Sequence, residues 1–276
     1  MRTAATSART GHRGLRHVVC AAALAAAVAV GVAACSSSSG STPTPAAATS
    51  SLSGPITVFA AASLTKTFIQ LGADFEKANP TTKVTFSFAG SSDLVSQITE
   101  GAPASVFASA DQANMKKVTD AGLASGVPVD FATNVLAIAV PPGNPAKITG
   151  WNELAKPGVK VVTCAPQVPC GAATVKVEKS TGVTLHPVSE ESAVTDVLGK
   201  VSSGEADAGI VYVTDVTGAG SSVESVPFPE AAGVVNVYPI TVLKGAPNSK
   251  VADAFVEFVT GPEGQKVLSD AGFGKP

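Results

Sequence analysis

The chain predicts an α/β fold in two lobes, and three observations carry that expectation. From Pro55 onward, short apolar runs alternate with segments of helical spacing, the pattern of strands and helices packed in layers around mostly parallel sheets. The length, 276 residues, accommodates more than one small core. Two long apolar strands, Thr133 to Pro141 and Asn236 to Leu243, are placed to cross from one sheet to the other.

The first strand is Ile56 to Phe59, a short buried run. Ser63 stands where it stops and a helix begins, with Leu64, Phe68, Leu71 and Phe75 on one face, so the serine reads as an N-cap. Asn79-Pro80 ends that helix, because a residue before proline avoids the α region. The construction returns once. Val84, Phe86 and Phe88 alternate with Thr85 and Ser87, then Gly90-Ser91-Ser92-Asp93 opens a helix carrying Leu94, Val95 and Ile98. Two strand-to-helix turns ending in serine suggest two neutral donor clusters aimed at one anion.

Ser105 to Ala110 reads as the next strand, and Asp111 as the cap of a helix bearing Met115 and Val118. Asn134 to Val140 is apolar until Pro141-Pro142-Gly143 stops it. Val159 to Thr163 is a strand, Cys170-Gly171 opens a helix, and Ser192 to Val201 has helical spacing. Ala208 to Val213 is a buried strand. Val234 to Leu243 reads as a strand interrupted at Pro239, and Val251 to Val259 as an amphipathic helix with Phe255 and Phe258.

The N-terminus has a different character. Arg2, Arg9, Arg13 and Arg16 precede the apolar run Val18 to Ala34, which is short for a spanning helix and fits a signal peptide over residues 1–34. It ends in Val32-Ala33-Ala34-Cys35, which resembles a bacterial lipobox with Cys35 as the lipidated residue; ordinary cleavage or an anchor helix are the alternatives. The Ser, Thr, Pro and Ala residues that follow, completing the segment 35–54, form a flexible tether. Residues 1–34 hold four Arg and no acid, so the remainder has 15 Lys+Arg against 21 Asp+Glu and carries no basic patch for nucleic acid. Cys164 and Cys170 are the other two cysteines beyond the signal, and outside the cytoplasm they read as a disulfide, with two reduced thiols as the alternative.

Catalysis finds no support. There is no G-x-S-x-G, no phosphate-binding G-x-x-x-x-G-K-[ST], no dinucleotide fingerprint, no metal-ligand cluster and no paired carboxylates. A Ser-His-Asp site would need His186, which sits before Pro187 in an apparent loop.

Several segments together resemble the periplasmic molybdate-binding proteins of ABC transporters. They are Val-Phe-Ala-Ala-Ala-Ser-Leu-Thr at 58–65, Phe-Ala-Gly-Ser-Ser at 88–92, Gly-Ala-Pro-Ala at 101–104, Ala-Ser-Ala-Asp-Gln at 108–112, Val-Pro-Cys-Gly at 168–171 and Gly-Ile-Val-Tyr at 209–212. The resemblance spans about Ile56 to Phe273. It implies a type II periplasmic-binding-protein fold with the ligand cleft between lobes, here residues 55–133 with 240–276, and residues 134–239. It also implies ligand contacts at Ser63, Ser91, Cys170, Val194 and Tyr212: hydroxyl and backbone N–H from the serines, backbone N–H from Cys170 and Val194, and the phenol of Tyr212. Cys170 departs from the alanine common in relatives, which a backbone contact tolerates.

Molybdate is fully deprotonated at neutral pH and only accepts hydrogen bonds, so a pocket of donors suits it. Hydrogen phosphate would reward a facing carboxylate, for which Asp93 is the nearby candidate, although its place in a first helical turn has a plain dipole role. The expectation is a lipid-anchored, monomeric, extracytoplasmic binding protein without cofactor or catalytic metal. It would deliver molybdate, and tungstate, to a membrane permease. Sulfate is the alternative ligand, and a Ser hydrolase using Ser63 and His186 the remote one.

Overall fold

The computed structural model of the chain describes residues 52–276. The expected signal peptide, Cys35 and nearly all of the tether lie outside the described residues. Among the described residues, nine strands form one curled sheet in the order β2-β1-β3-β9-β4-β7-β5-β6, with β8 added on β4.

The chain enters through β1 (Gly54–Ala61), makes a 3-10 turn at Ala62–Leu64 and continues as α1 (Thr65–Ala78). Phe68, Leu71 and Phe75 are buried on one face of α1, at the spacing a helix needs to present a single apolar stripe. The helix ends at Asn79, before Pro80. Next come β2 (Thr82–Ala89), α2 (Ser91–Thr99), β3 (Val106–Ala108) and α3 (Gln112–Asp120). Asp111 caps α3 as expected, its carboxylate accepting from Asn114 N–H at 2.8 Å.

The crossing strand β4 (Val129–Val140) is longer than the apolar run that announces it. Beyond it lie β5 (Val161–Cys164), α4 (Pro169–Thr181), β6 (Ser189–Glu191), α5 (Val194–Ser202), β7 (Ala208–Tyr212), α6 (Val213–Ala219) and β8 (Glu224–Val226). The return crossing is β9 (Val235–Val242), and α7 (Ser249–Thr260) and α8 (Pro262–Asp270) finish the fold.

Two expectations are corrected. The sheet is mixed rather than mostly parallel: four pairings are parallel and four antiparallel, because β9 and β4 run against their neighbours where they cross. Pro239 does not interrupt β9. It lies opposite Asp130, where β4 shifts register between Asp130 and Ala132, so its missing N–H falls at an irregularity of the ladder, while its carbonyl accepts from Ser109 N–H at 2.9 Å.

The apolar interior is divided. One large cluster gathers Phe68, Phe75, Phe131, Tyr238 and Phe255 beneath α1, α7 and α8. The other gathers Ile138, Trp151, Val177, Val197 and Ile210 beneath α4 and α5. A smaller one, with Phe107 and Met115, lies under α2 and α3. Strand β4 passes from the first cluster at Phe131 to the second at Leu136. Each side therefore has its own apolar core, the arrangement of a two-lobed fold.

Candidate oxyanion site

The ends of five strands and the starts of the segments that follow them meet between the two large clusters. Ser63, Ser91, Cys170, Val194 and Tyr212 all line one small pocket there, with Gly90 among the residues beside them. The pocket is small, with about 200 Å³ of empty space including its mouth. None of its lining side chains is charged.

Helix starts dominate its walls. Ser91 is the first residue of α2, Val194 the first of α5, and Cys170 the second of α4. An N–H in a first turn has no carbonyl one turn back, so these groups are free to donate outward, and the aligned peptide dipoles make each terminus positive. Pro169 opens α4, where its missing N–H and fixed φ cost nothing.

The serines do not act as the expected caps. Ser63 sits inside the 3-10 turn, makes no capping bond, and its hydroxyl pairs with the Tyr238 hydroxyl at 3.0 Å. Ser91 follows the capping residue Gly90; its Oγ accepts from Ala110 N–H at 3.0 Å. Both hydroxyls are thereby held at the pocket by distant residues rather than spent on their own helices.

Tyr212 ends β7, fully buried, and its phenol oxygen accepts from Asn236 Nδ2 at 3.0 Å. Its N–H donates to the Asp215 carboxylate at 2.8 Å, which ties the strand end to the first turn of α6. Burial pushes the Tyr212 phenol well above its ordinary value, with the neighbouring Tyr238, Asp111 and Asp215 adding to the shift, so it stays protonated and able to donate. Burial also raises Asp215, to about 7, against the opposing bond from Tyr212 N–H.

Cys164, at the end of β5, is bonded to Cys170 as a disulfide. The bridge joins the strand end to the first turn of α4, beside the pocket. Gly171 completes that turn: a Cβ there would collide with the Ala165 carbonyl.

The remaining candidates fall away from the site. Asp93 is exposed on α2 and does not line the pocket, so no carboxylate faces a bound anion from that helix. His186 is exposed between α4 and β6, and Ser63 pairs with a tyrosine rather than an imidazole, so the hydrolase alternative has no geometry. A larger cleft, with about 730 Å³ of empty space on the same measure, adjoins the pocket and shares Ala62 and Ser63 with it. Asp215 lines that cleft, as does Lys66, whose ammonium reaches the Gly218 carbonyl. The cleft thus holds an acidic and a basic group, whereas the smaller pocket has no charged side chain.

Sequence reading missed Asn134, Asn236 and Tyr238, which stand behind the pocket and hold its hydroxyls. A signal was present: an asparagine inside an otherwise apolar strand must find partners when buried.

Comparison with known proteins agrees with this geometry. The profile of the bacterial extracellular solute-binding protein family matches residues 56–274. A molybdate-binding protein ModA of Mycobacterium tuberculosis is 52% identical over 233 residues, covering 82% of this chain and 89% of that protein. Among solved structures, the periplasmic molybdate-binding protein of Azotobacter vinelandii superposes with TM-score 0.69 at 24% identity, covering 80% of this chain and 99% of that one. The sulfate-binding protein SubI of M. tuberculosis superposes with TM-score 0.70 at 20% identity, covering 80% and 86%. These last two likenesses speak to fold. With two apolar cores, an uncharged pocket at helix starts between them, and half of the aligned residues shared with a ModA protein, the chain belongs to the ModA family of bacterial extracellular solute-binding proteins, which bind solutes and perform no reaction.

Proposed function

We propose that the protein captures molybdate, and tungstate with it, and hands the anion to the membrane permease of an ABC transporter. The observation that carries this reading is the pocket itself: three hydroxyls and the N–H groups of three helix starts converge with no charged side chain among them. A fully deprotonated tetrahedral oxyanion offers only acceptors and is satisfied by such a set. Each charge-assisted bond contributes on the order of 1.5–3 kcal/mol, and the low-dielectric surroundings strengthen them further. The name of the M. tuberculosis relative supports molybdate as the ligand.

Ser63, Ser91 and Tyr212 are the hydroxyl donors in this reading, and Ser63, Ser91, Cys170 and Val194 give backbone N–H groups. The lobes that close on the anion are residues 55–133 with 240–276, and residues 134–239. Cys35 carries the lipid that holds the monomeric protein at the outer face of the cell membrane, since two acyl chains anchor stably where one is marginal.

Sulfate is the second reading, favoured by the match in fold to a sulfate-binding protein and by its equal lack of protons. Calorimetric titration of the folded domain with molybdate, tungstate, sulfate and phosphate separates the two. Molybdate and tungstate are expected to bind at least a hundredfold more tightly than sulfate. Sulfate binding as tight as molybdate, or heat from none of the four, overturns the assignment.

A further inference from the structure

Asn134 and Asn236 are direct partners across the β4–β9 ladder, at the point where the chain passes between the two apolar clusters. Both are buried. Each spends both hydrogens of its amide. Asn236 Nδ2 donates to the Ala110 carbonyl at 2.9 Å and to the Tyr212 phenol oxygen at 3.0 Å. Asn134 Nδ2 donates to Thr214 Oγ1 at 2.8 Å and, at a longer 3.4 Å, to the Tyr238 phenol oxygen.

The orientation of both amides follows from their neighbours. The Ala110 carbonyl can only accept, so nitrogen rather than oxygen of Asn236 must face it. Val135 N–H can only donate, and it takes Asn134 Oδ1 at 3.0 Å, which leaves the nitrogen on the tyrosine side.

A hydroxyl whose oxygen already receives a hydrogen bond has its own proton left to give. Tyr212 receives from Asn236, so its proton turns to the pocket. Tyr238 receives from Asn134, which leaves its own proton for Ser63 Oγ, 3.0 Å away; with Tyr238 as the donor of that pair, the Ser63 proton is free. Ser91 receives from Ala110 N–H, the same residue whose carbonyl holds Asn236. In this arrangement each of the three pocket hydroxyls receives one hydrogen bond from behind, which occupies one lone pair and leaves its proton to give.

We propose that Asn134 and Asn236 are positioning residues that fix the direction of the pocket hydroxyl protons, so that the site rejects an oxyanion carrying a proton of its own. A ligand such as hydrogen phosphate must donate its O–H to some acceptor, and here every hydroxyl already accepts one bond from behind and has its proton left for the anion. This inference rests on the pocket being the oxyanion site. Within that site it names the residues that discriminate by protonation, apart from any discrimination by size.

Sulfate and hydrogen phosphate make the test, since at pH 8 they are dianions of nearly equal size that differ by one proton. Each competes against bound molybdate in the parent protein, in Asn236→Leu and in Tyr238→Phe. The second variant removes one hydroxyl without changing shape and keeps the test valid should the first fail to fold. The parent is expected to favour sulfate by about tenfold or more, the cost of an unmade hydrogen bond to a charged group. In either variant a freed hydroxyl can rotate to accept, and the sulfate-to-phosphate ratio is expected to narrow at least threefold. A purely structural role would weaken both anions in parallel. A ratio that stays unchanged in a variant that still binds molybdate overturns the proposal, as does a parent that binds the two alike. A parent that binds none of these anions refutes the oxyanion reading of the pocket instead.

Discussion

Gly90, which precedes α2, stands against the carbonyl oxygen of Ser192, which precedes α5, and leaves no room for a side chain between them. The backbone of Gly90 is ordinary, with φ −58° and ψ 140°, so alanine would fit it locally. The glycine is required only because two segments carrying helix starts approach each other here. Gly90→Ala is therefore expected to lower the ligand-free melting temperature by several degrees and to weaken molybdate binding at least tenfold, because the added methyl forces Ser91 and Val194 apart. Calorimetry with parallel melting curves checks this. Unimpaired binding would mean that the approach of Gly90 to Ser192 is not needed to enclose the anion.

The disulfide gives a second expectation. Cys164 and Cys170 enclose a short loop stiffened by Pro166 and Pro169, so the bridge contributes at most about 3 kcal/mol. Replacing both cysteines with alanine should lower the melting temperature by several degrees while molybdate affinity changes less than about fivefold, since in the proposed site Cys170 contributes only its backbone N–H. Free alkylation of both thiols in the unreduced protein would contradict the bridge. A loss of binding beyond about a hundredfold would contradict the backbone role.

Asp215 supplies a pH dependence. Burial raises its carboxyl from 3.8 to about 7, so between those values the folded protein holds a proton that the unfolded chain has released. Its contribution to stability is full below pH 4 and is lost as pH rises through 7. Asp215→Asn keeps an oxygen to accept from Tyr212 N–H but carries no charge. The variant should melt several degrees higher than the parent at pH 8, with a smaller difference at pH 5. Equal melting temperatures at both pH values would place the carboxyl in a less costly environment than its burial indicates.

Export yields a fourth. With Cys35 as the lipid-bearing residue, Cys35→Ser should move the protein from the membrane fraction to the medium or leave the signal peptide uncut. A mature N-terminus whose mass shows no lipid would refute the anchor.

Much of the fold was legible because it rests on local patterns. The apolar spacing of Phe68, Leu71 and Phe75 marks α1, Asp111 marks the start of α3, and the Asn79-Pro80 pair marks a helix end, each a matter of a few consecutive residues. The antiparallel crossings were not legible, since the pairing of Asn134 with Asn236 joins positions about a hundred residues apart. Pro239 looked like a break because its tolerance depends on a register shift in β4, another strand entirely.

The site divides in the same way. Ser63 and Ser91 drew notice as serines at helix starts, yet the bonds that hold them run to Tyr238 and Ala110, not to their own helices. A serine near a helix start has the same local sequence whether it caps the helix or turns away from it. Only the long-range partner decides.

The most direct measurement is an anomalous difference map at the molybdenum absorption edge from crystals grown with molybdate. The account predicts one strong peak per protein, enclosed by the hydroxyls of Ser63, Ser91 and Tyr212 and by the N–H groups of Cys170 and Val194. A peak in the larger cleft beside Lys66 and Asp215, or no peak among those five residues in protein that binds molybdate in solution, would contradict it.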